Sequence, residues 1–171
     1  MTHQLNFIYN DSDWIAPAEY PDLSKATEIA IDLETKDPNI KTKGPGWATF
    51  DGHIVGFAVA ALGQQWYFPI AHDAGGNMDL SITCAWMQDI LKTDATKIFH
   101  NASYDVGWLL VNGFEIRGKI VDTMIAAAII NENRFSFSLN ACAKDYLGEI
   151  KNETFLNEKA KEWGIDPKAD M

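Results

Sequence analysis

Two acidic residues, Asp32 and Glu34, lie at the end of an apolar run in the stretch IAIDLET, residues 29–35. Apolar and polar residues alternate here, and this period of two predicts a β-strand. Residues i and i+2 of a strand share one face, about 7 Å apart along the chain, so the two carboxylates stand side by side and repel each other. The pair is compatible with the solvated face of a half-buried strand. It is equally what a divalent metal ion needs, because the ion's charge removes the repulsion.

A third acid, Asp105, lies in the stretch KIFHNASYDVGWLL, residues 97–110. A strand is predicted to end before a helix that Asn101 or Ser103 could cap. Asp105 falls in the first turn of that helix, where a negative charge also favours the helix dipole. The apolar side of the helix is expected at Val106, Leu109 and Leu110. We therefore expect Asp105 to point away from the core, towards the end of the sheet, where ligands bind in open α/β sheets.

The elements around these acids predict an α/β fold. An irregular lead-in, residues 1–24, precedes one domain, residues 25–171. Strands are predicted at 28–34, 53–62, 65–71, 97–100 and 119–121, and helices at 80–92, 102–113, 122–132, 138–148 and 153–164. Residues 36–52, rich in Gly, Pro and Lys, are predicted to form a loop. An antiparallel meander followed by parallel strands, flanked by helices, favours a ribonuclease-H-like mixed sheet.

Composition narrows the classes of function. The chain has 171 residues, 47% of them hydrophobic, with a net charge of −10 and two cysteines. This charge counts against binding of nucleic acid through a broad basic face, but not against a nuclease that holds phosphate through metal ions. The N-terminus lacks the features of a signal peptide, and the longest uncharged apolar stretch is too short to span a bilayer. We expect a cytoplasmic protein with no membrane partner.

The stretches DLET and HNASYD, in this order, resemble the first two motifs of the DEDD superfamily of 3′–5′ exonucleases. The closer resemblance is to the proofreading domain of family A DNA polymerases, the DNA polymerase I type. It extends through GHIVGFAVAALGQQWYFPIAH and LLVNGFEIRGKIVDTMIAAAIINE. Phage-type members are the most similar in two stretches, KDPNIKTKGPGWATFDGHIVG and HDAGGNMD. This similarity implies a bacterial or phage-infected host cell.

The resemblance implies hydrolysis of the last phosphodiester at a DNA 3′ end with two divalent cations, Mg²⁺ or Mn²⁺. It implies that Asp32 bridges both ions, that Glu34 binds the ion on the side of the attacking water, and that Asp105 serves the second ion. Positions near the substrate correspond to Asn101, Tyr104 and Phe155. For Tyr104, packing at the helix start is an equal alternative, and for Phe155 the alternative is a place in a helix core.

Other residues near these motifs have less specific interpretations. Asp122 could complete the metal site, but its place before a helix favours an N-cap. A group of residues flanks the first motif and could hold phosphate and stack a base, or simply form a solvated loop: Lys36, Lys41, Lys43 and Trp47.

The third motif of the superfamily, Tyr-x-x-x-Asp or His-x-x-x-x-Asp, has no match after the second motif. The resemblance therefore implies a C-terminally truncated exonuclease domain of a longer polymerase. Its partners would be a single-stranded DNA 3′ end and the polymerase domain of the parent chain. The missing motif leaves open whether this chain alone is active.

Three alternatives remain at this point. The first is a catalytically silent, nuclease-like scaffold that supports a polymerase. The second is an exonuclease of the same superfamily that trims RNA. The third is a glycosidase carboxylate pair, which would leave the second motif unexplained.

Overall fold

The computed structural model describes residues 15–73 and 75–149, together with Glu162. Within them lie five strands: β1 (Glu28–Lys36), β2 (His53–Ala61), β3 (Gln64–Pro69), β4 (Thr96–Phe99) and β5 (Ile120–Asp122). The helices of the same residues are α1 (Ile40–Lys43), α2 (Gly46–Thr49), α3 (Leu80–Leu91), α4 (Ala102–Val111), α5 (Thr123–Ile130) and α6 (Leu139–Leu147). Phe155 and, apart from Glu162, the predicted helix at 153–164 lie outside the described residues.

The five strands form one mixed sheet in the order β3-β2-β1-β4-β5. The first three strands are antiparallel neighbours, and β4 and β5 continue the sheet in parallel pairing. Leu62 and Gly63 connect β2 to β3 with φ values of 53° and 74°. Positive φ at both positions is typical of the type I′ turn that joins two-residue hairpins. The predicted α/β ribonuclease-H-like fold is confirmed.

The two faces of the sheet differ in the size of their side chains. We call the first the core face; on β1 it carries Ile29, Ile31 and Leu33, which are buried together with residues of α3 and α4. We call the second the acidic face; its members on β1 and β2 are Ala30, Asp32, Glu34, Gly56, Ala58 and Ala60. Strand alternation separates the two sets, so a single strand supplies both the core and the predicted site.

Helix α3 buries only part of the face that its sequence predicts. The helical period places Leu80, Cys84, Met87 and Leu91 on one face; Met87 and Leu91 are buried, but Leu80 is 53% exposed. The buried residues are Thr83, Met87, Ile90 and Leu91. The face is rotated because Tyr20, from the lead-in, donates or accepts a hydrogen bond at the Thr83 hydroxyl (2.7 Å), which satisfies that buried polar group.

The lead-in, predicted as residues 1–24, has no helix or strand in its described part, residues 15–24, as predicted. It is nevertheless fixed to the core. The Tyr20 ring stacks on Phe68 at 5.7 Å between centroids, and Trp86 donates its indole N–H to the Pro21 carbonyl (3.1 Å).

The predicted loop at residues 36–52 is wrong in detail, because it contains α1 and α2, each one turn long. The Asp37 carboxylate accepts the N–H of Gly46 at the start of α2 (2.8 Å) and so satisfies one backbone donor of that turn. Among the described residues, no helix combines the length and apolar character needed to span a membrane.

Candidate active site

Asp105 is attached directly to β1. The Leu33 N–H donates to Asp105 Oδ1 (3.0 Å), although the two residues are far apart in sequence. Strand β4 pairs only with residues 28–30 of β1, so the Leu33 N–H lies beyond the end of that pairing. The Asp105 carboxylate therefore accepts a hydrogen bond from a backbone N–H that has no partner on β4. Because β4 stops pairing before Leu33, the second motif can bind directly to the strand that carries the first motif.

The predicted orientation of Asp105 is wrong. It was expected to point away from the core, but its side chain is only 3% exposed, and Leu110, expected on the apolar side, is 58% exposed. Helix α4 instead packs through Ala102, Trp108 and Leu109. Asp105 can lie on this buried side because the Leu33 N–H of β1 donates a hydrogen bond to its carboxylate, which offsets part of the cost of burying the carboxyl group.

Asp105 and Asp32 interact electrostatically. The pKa of the Asp105 carboxyl is raised from 3.8 to about 7, mainly by burial, and the Leu33 N–H partly opposes this by stabilising the anion. The negative charges of Asp32 and, to a smaller extent, Asp122 contribute to the same rise. The ionised pair is therefore unfavourable by itself, and a cation between the two carboxylates would relieve it.

Asp122 caps two helices, which confirms the N-cap prediction. It accepts the N–H groups of Met124 (2.9 Å) and Ile125 (3.3 Å) at the start of α5. It also accepts those of Asn101 (3.1 Å) and Ala102 (2.8 Å) at the start of α4. Burial opposes the ionised form, but these four donors outweigh it and lower the pKa of Asp122 below 3.8.

The predicted capping of α4 by Asn101 or Ser103 is wrong. Asn101 is the N-cap residue but makes no side-chain capping bond, and its φ of 70° is left-handed. Its Oδ1 accepts the Ser103 hydroxyl instead (3.1 Å). Because Asp122 supplies the cap from another strand, the Asn101 side chain does not serve the helix terminus.

Tyr104 connects three segments around the site. Its hydroxyl bonds to the Thr35 hydroxyl (2.8 Å) and donates to Asp37 Oδ2 (2.9 Å), the oxygen that also accepts the Gly46 N–H. The end of β1, the start of α2 and the first turn of α4 are thereby joined. Thr35 and Asp37 are not predicted as part of the site, because no sequence motif or characteristic spacing includes them.

Trp47 is half-buried and packs against α4, so it is not part of a solvated loop, and the stacking of a base on it stays a prediction. A Cβ on Gly107 would overlap the Trp47 indole, and a Cβ on Gly46 would overlap the ring of Trp108. Each tryptophan therefore occupies the space that a glycine on the other helix leaves free. This reciprocal packing fixes α2 against α4 next to Asp105.

A cleft of about 910 Å³ opens over the acidic face. Its floor is made of Ala30, Ala58 and Ala60, with Asp32 among the lining residues. Tyr67, His100 and Leu139 form parts of its walls. The small floor residues leave room for a ligand of nucleotide size directly beside Asp32.

Comparison with known proteins identifies the family. The sequence pattern described as 3′-5′ exonuclease matches residues 20–171. The chain belongs to this 3′–5′ exonuclease family. A DNA-directed DNA polymerase of Pseudomonas phage M6 is 34% identical over 172 residues, which cover 96% of this chain and 26% of that protein. The DNA polymerase DpoZ of Salmonella phage PMBT28 is 30% identical over 149 residues, 86% of this chain and 21% of that protein.

The exonuclease domain thus spans about a quarter of the length of these curated relatives. Solved structures share its fold. The polymerase domain of Pol1 from M. smegmatis, in complex with DNA primer-template and dNTP, superposes with a TM-score of 0.57 at 19% identity, over 77% of this chain and 21% of that one. Escherichia coli RNase D, an exoribonuclease, gives 0.55 at 19% identity over 77% and 31%. The predicted relationship to polymerase exonuclease domains is confirmed.

Glu34 is the third predicted metal ligand. It lies on the acidic face with an exposed side chain, and its charge acts on Tyr67 of β3. Within residues 15–73 and 75–149, no group of three or more His, Cys, Asp or Glu side chains is arranged to hold a metal ion. The exonuclease domain therefore brings Asp32 and Asp105 together, and the participation of Glu34 stays a prediction.

Proposed function

We propose that this exonuclease domain hydrolyses the terminal phosphodiester at the 3′ end of single-stranded DNA, as the proofreading part of a DNA polymerase. Two divalent cations, Mg²⁺ or Mn²⁺, would be held by Asp32, Glu34 and Asp105. One observation carries the proposal: the Leu33 N–H fixes Asp105 beside β1, where its carboxyl group meets the charge of Asp32. The two acids lie far apart in the sequence, and the fold joins them.

The donor chemistry of this pair fits a divalent metal ion. Carboxylate oxygens are the ligands that Mg²⁺ and Mn²⁺ prefer. Burial and, to a smaller extent, the charge of Asp32 raise the pKa of Asp105, so a bound cation would favour the ionised form of this carboxyl group. When bound, such ions activate a water molecule and stabilise the leaving oxygen.

The residues of the chain would bind and orient the substrate. The alanine floor of the cleft offers an apolar surface for the sugar and base of the 3′-terminal nucleotide, and Asp32 marks the end where its phosphate would lie. The Asn101 side chain makes no capping bond at the start of α4, so it could bind the substrate there. Tyr104, held by Thr35 and Asp37, keeps that helix start in register with β1. A substrate contact for Phe155 is proposed from the family resemblance alone.

DNA is favoured over RNA as the substrate because the relatives at 30% and 34% identity are DNA polymerases. The polymerase domain of such a parent chain would be the partner that delivers the 3′ end. The scaffold alternative gives no account of why the acceptor for the Leu33 N–H is an ionisable carboxyl group beside Asp32, since an asparagine would accept the same N–H without the repulsion between two charges.

The test uses a single-stranded DNA labelled at its 5′ end, and an RNA of the same sequence, with Mg²⁺, with Mn²⁺ and with EDTA. We expect stepwise shortening of the DNA from the 3′ end that requires a metal. Asp32→Ala and Asp105→Ala should each lower the rate by about 100-fold or more.

Asp89→Ala is the matched control, because Asp89 is an exposed acid on α3, on the other side of the sheet. It should retain the wild-type rate within about twofold. Shortening that survives Asp32→Ala would overturn the proposal, and so would a chain that stays inactive with both metals when it is extended by a helix with the third motif of the superfamily. Faster shortening of RNA than of DNA would replace the substrate.

A further inference from the structure

Tyr67 lies on the acidic face, although it belongs to neither sequence motif of the predicted site. In the sheet it pairs with Ala58 of β2, and Ala58 pairs with Asp32 of β1. Directly paired residues of neighbouring strands point to the same side of a sheet. The half-buried Tyr67 ring therefore rises from the same surface as the two carboxylates of β1 and lines the cleft.

The Tyr67 side chain leans towards Glu34. A Cβ on Gly56 would overlap the hydroxyl oxygen, Cζ and Cε2 of Tyr67. Gly56 is the residue that pairs with Glu34 across the β1–β2 ladder. The phenol thus lies over the position opposite Glu34, and it can do so because that position has no side chain. Burial and, second to it, the charge of Glu34 raise the pKa of the Tyr67 hydroxyl, which agrees with a short distance between the two side chains.

His72 holds the phenol from the other side. Its Nε2 makes a hydrogen bond with the Tyr67 hydroxyl, and the two rings contact each other edge to face. His72 is itself fixed by Asn77, whose Oδ1 accepts the His72 N–H (2.7 Å) and whose Nδ2 donates to the His72 carbonyl (2.8 Å). The loop after β3 is therefore folded around the contact between His72 and Tyr67.

We propose that Tyr67 is a positioning residue for Glu34. Its hydroxyl donates a hydrogen bond to the Glu34 carboxylate while it accepts one from Nε2–H of His72. This arrangement uses the single donor and the acceptor capacity of a phenol. It would hold Glu34 in one orientation towards the reacting phosphate, which explains how an exposed carboxylate can serve the site. The inference rests on the proposed nuclease function and adds to it a residue outside both sequence motifs.

Tyr67→Phe tests this role, because it removes the hydroxyl and keeps the ring over Gly56. With the labelled DNA, kcat should fall by about tenfold and KM should change by less than about twofold, as expected when a ligand-orienting hydrogen bond is lost. Tyr20→Phe is the matched control. It also removes a hydroxyl hydrogen bond, that to Thr83, but it does so beside the core face, and kcat should be unchanged.

Coupling to Glu34 provides the second measurement, made without DNA. Calorimetric titration with Mn²⁺ should show that Tyr67→Phe weakens binding several-fold, and that the same substitution has no effect in the Glu34→Gln background. Equal losses in both backgrounds, or an unchanged kcat in Tyr67→Phe, would overturn the role of Tyr67. That result would leave the proposed function standing as long as Asp32→Ala abolishes activity. Activity that survives Asp32→Ala would instead overturn the function itself.

Discussion

The two faces of the central sheet are built from the same strands but differ in the size and packing of their side chains. The core face of β2 and its neighbours carries Phe57, Phe68 and Phe99, all buried. The acidic face carries Gly56 and Ala58 at the adjoining positions of β2. Close packing on one face supplies the stability that the other face lacks, and small residues there leave a cleft beside the acids. Adjacent residues of one strand should therefore respond to substitution in opposite ways.

Phe57→Ala should give the largest loss of stability. Phe57 is fully buried and meets the Phe114 ring edge to face at 6.0 Å. Truncation removes apolar contacts and leaves a cavity, so the free energy of unfolding should fall by roughly 3–5 kcal/mol. Denaturation with guanidinium chloride measures it. A loss below about 1 kcal/mol would mean that the core face is not closely packed.

Its neighbour Ala58 provides the contrasting half of the same prediction. Ala58→Leu would project a side chain from the floor of the cleft towards Asp32 and Tyr67. The free energy of unfolding should change by less than about 1 kcal/mol, because the added methyl groups enter open space. The value of kcat/KM for DNA should fall by about tenfold or more. Unchanged kinetics would show that the substrate does not use this floor.

Asp122→Ala should have a smaller effect on stability, spread over two helices. Four backbone N–H groups at the starts of α4 and α5 lose their acceptor, and we expect a loss of about 2 kcal/mol near pH 7. Because the pKa of Asp122 is lowered in the folded state, its contribution is present above the ordinary value of 3.8 and is lost as the pH falls through the folded pKa.

Unfolding curves at pH 7 and pH 3 check this prediction. The difference between wild type and Asp122→Ala should be smaller at the lower pH, while Asp122→Asn, which keeps one acceptor, should lie between the two at pH 7. A difference that does not depend on pH would contradict the role of the ionised carboxylate.

Asp105→Asn should change the free energy of unfolding by less than Asp122→Ala does, and in the opposite direction. In EDTA, wild type carries a carboxyl group whose pKa rises from 3.8 in the unfolded chain to about 7 in the folded protein. The folded state then binds more protons between these values, so wild-type stability falls as the pH rises from 4 to 7. Asn keeps an acceptor for the Leu33 N–H without the charge. Above pH 7 it should be more stable by about 1–2 kcal/mol.

Thermal unfolding in EDTA across pH 4–8 measures this advantage, which should vanish near pH 4. Mn²⁺ should then stabilise wild type more than Asp105→Asn, because only the folded wild-type site offers both carboxylates. Equal stability of the two proteins at pH 8 in EDTA would show that Asp32 and Asp105 do not repel each other.

The sequence predicted the sheet because alternation along β1 and the hairpin around Gly63 are local patterns. It also placed Asp122 at a helix start. It could not predict the burial of Asp105, which depends on a backbone donor at Leu33 left free where β4 stops pairing. Nor could it predict Tyr67 as a neighbour of Glu34, because that contact depends on the register of three strands and on the absence of a side chain at Gly56. Such contacts are set by tertiary structure alone.

The most direct test of the account is a crystal of this chain soaked in Mn²⁺, with anomalous scattering used to locate the metal. The account predicts an anomalous peak bound by the carboxylates of both Asp32 and Asp105, and the loss of that peak in Asp32→Ala. Glu34 should contact the metal or its water in the wild-type crystal. Mn²⁺ bound elsewhere, with Asp32 and Asp105 both free of metal, would contradict the assignment of this pair as the centre of the site.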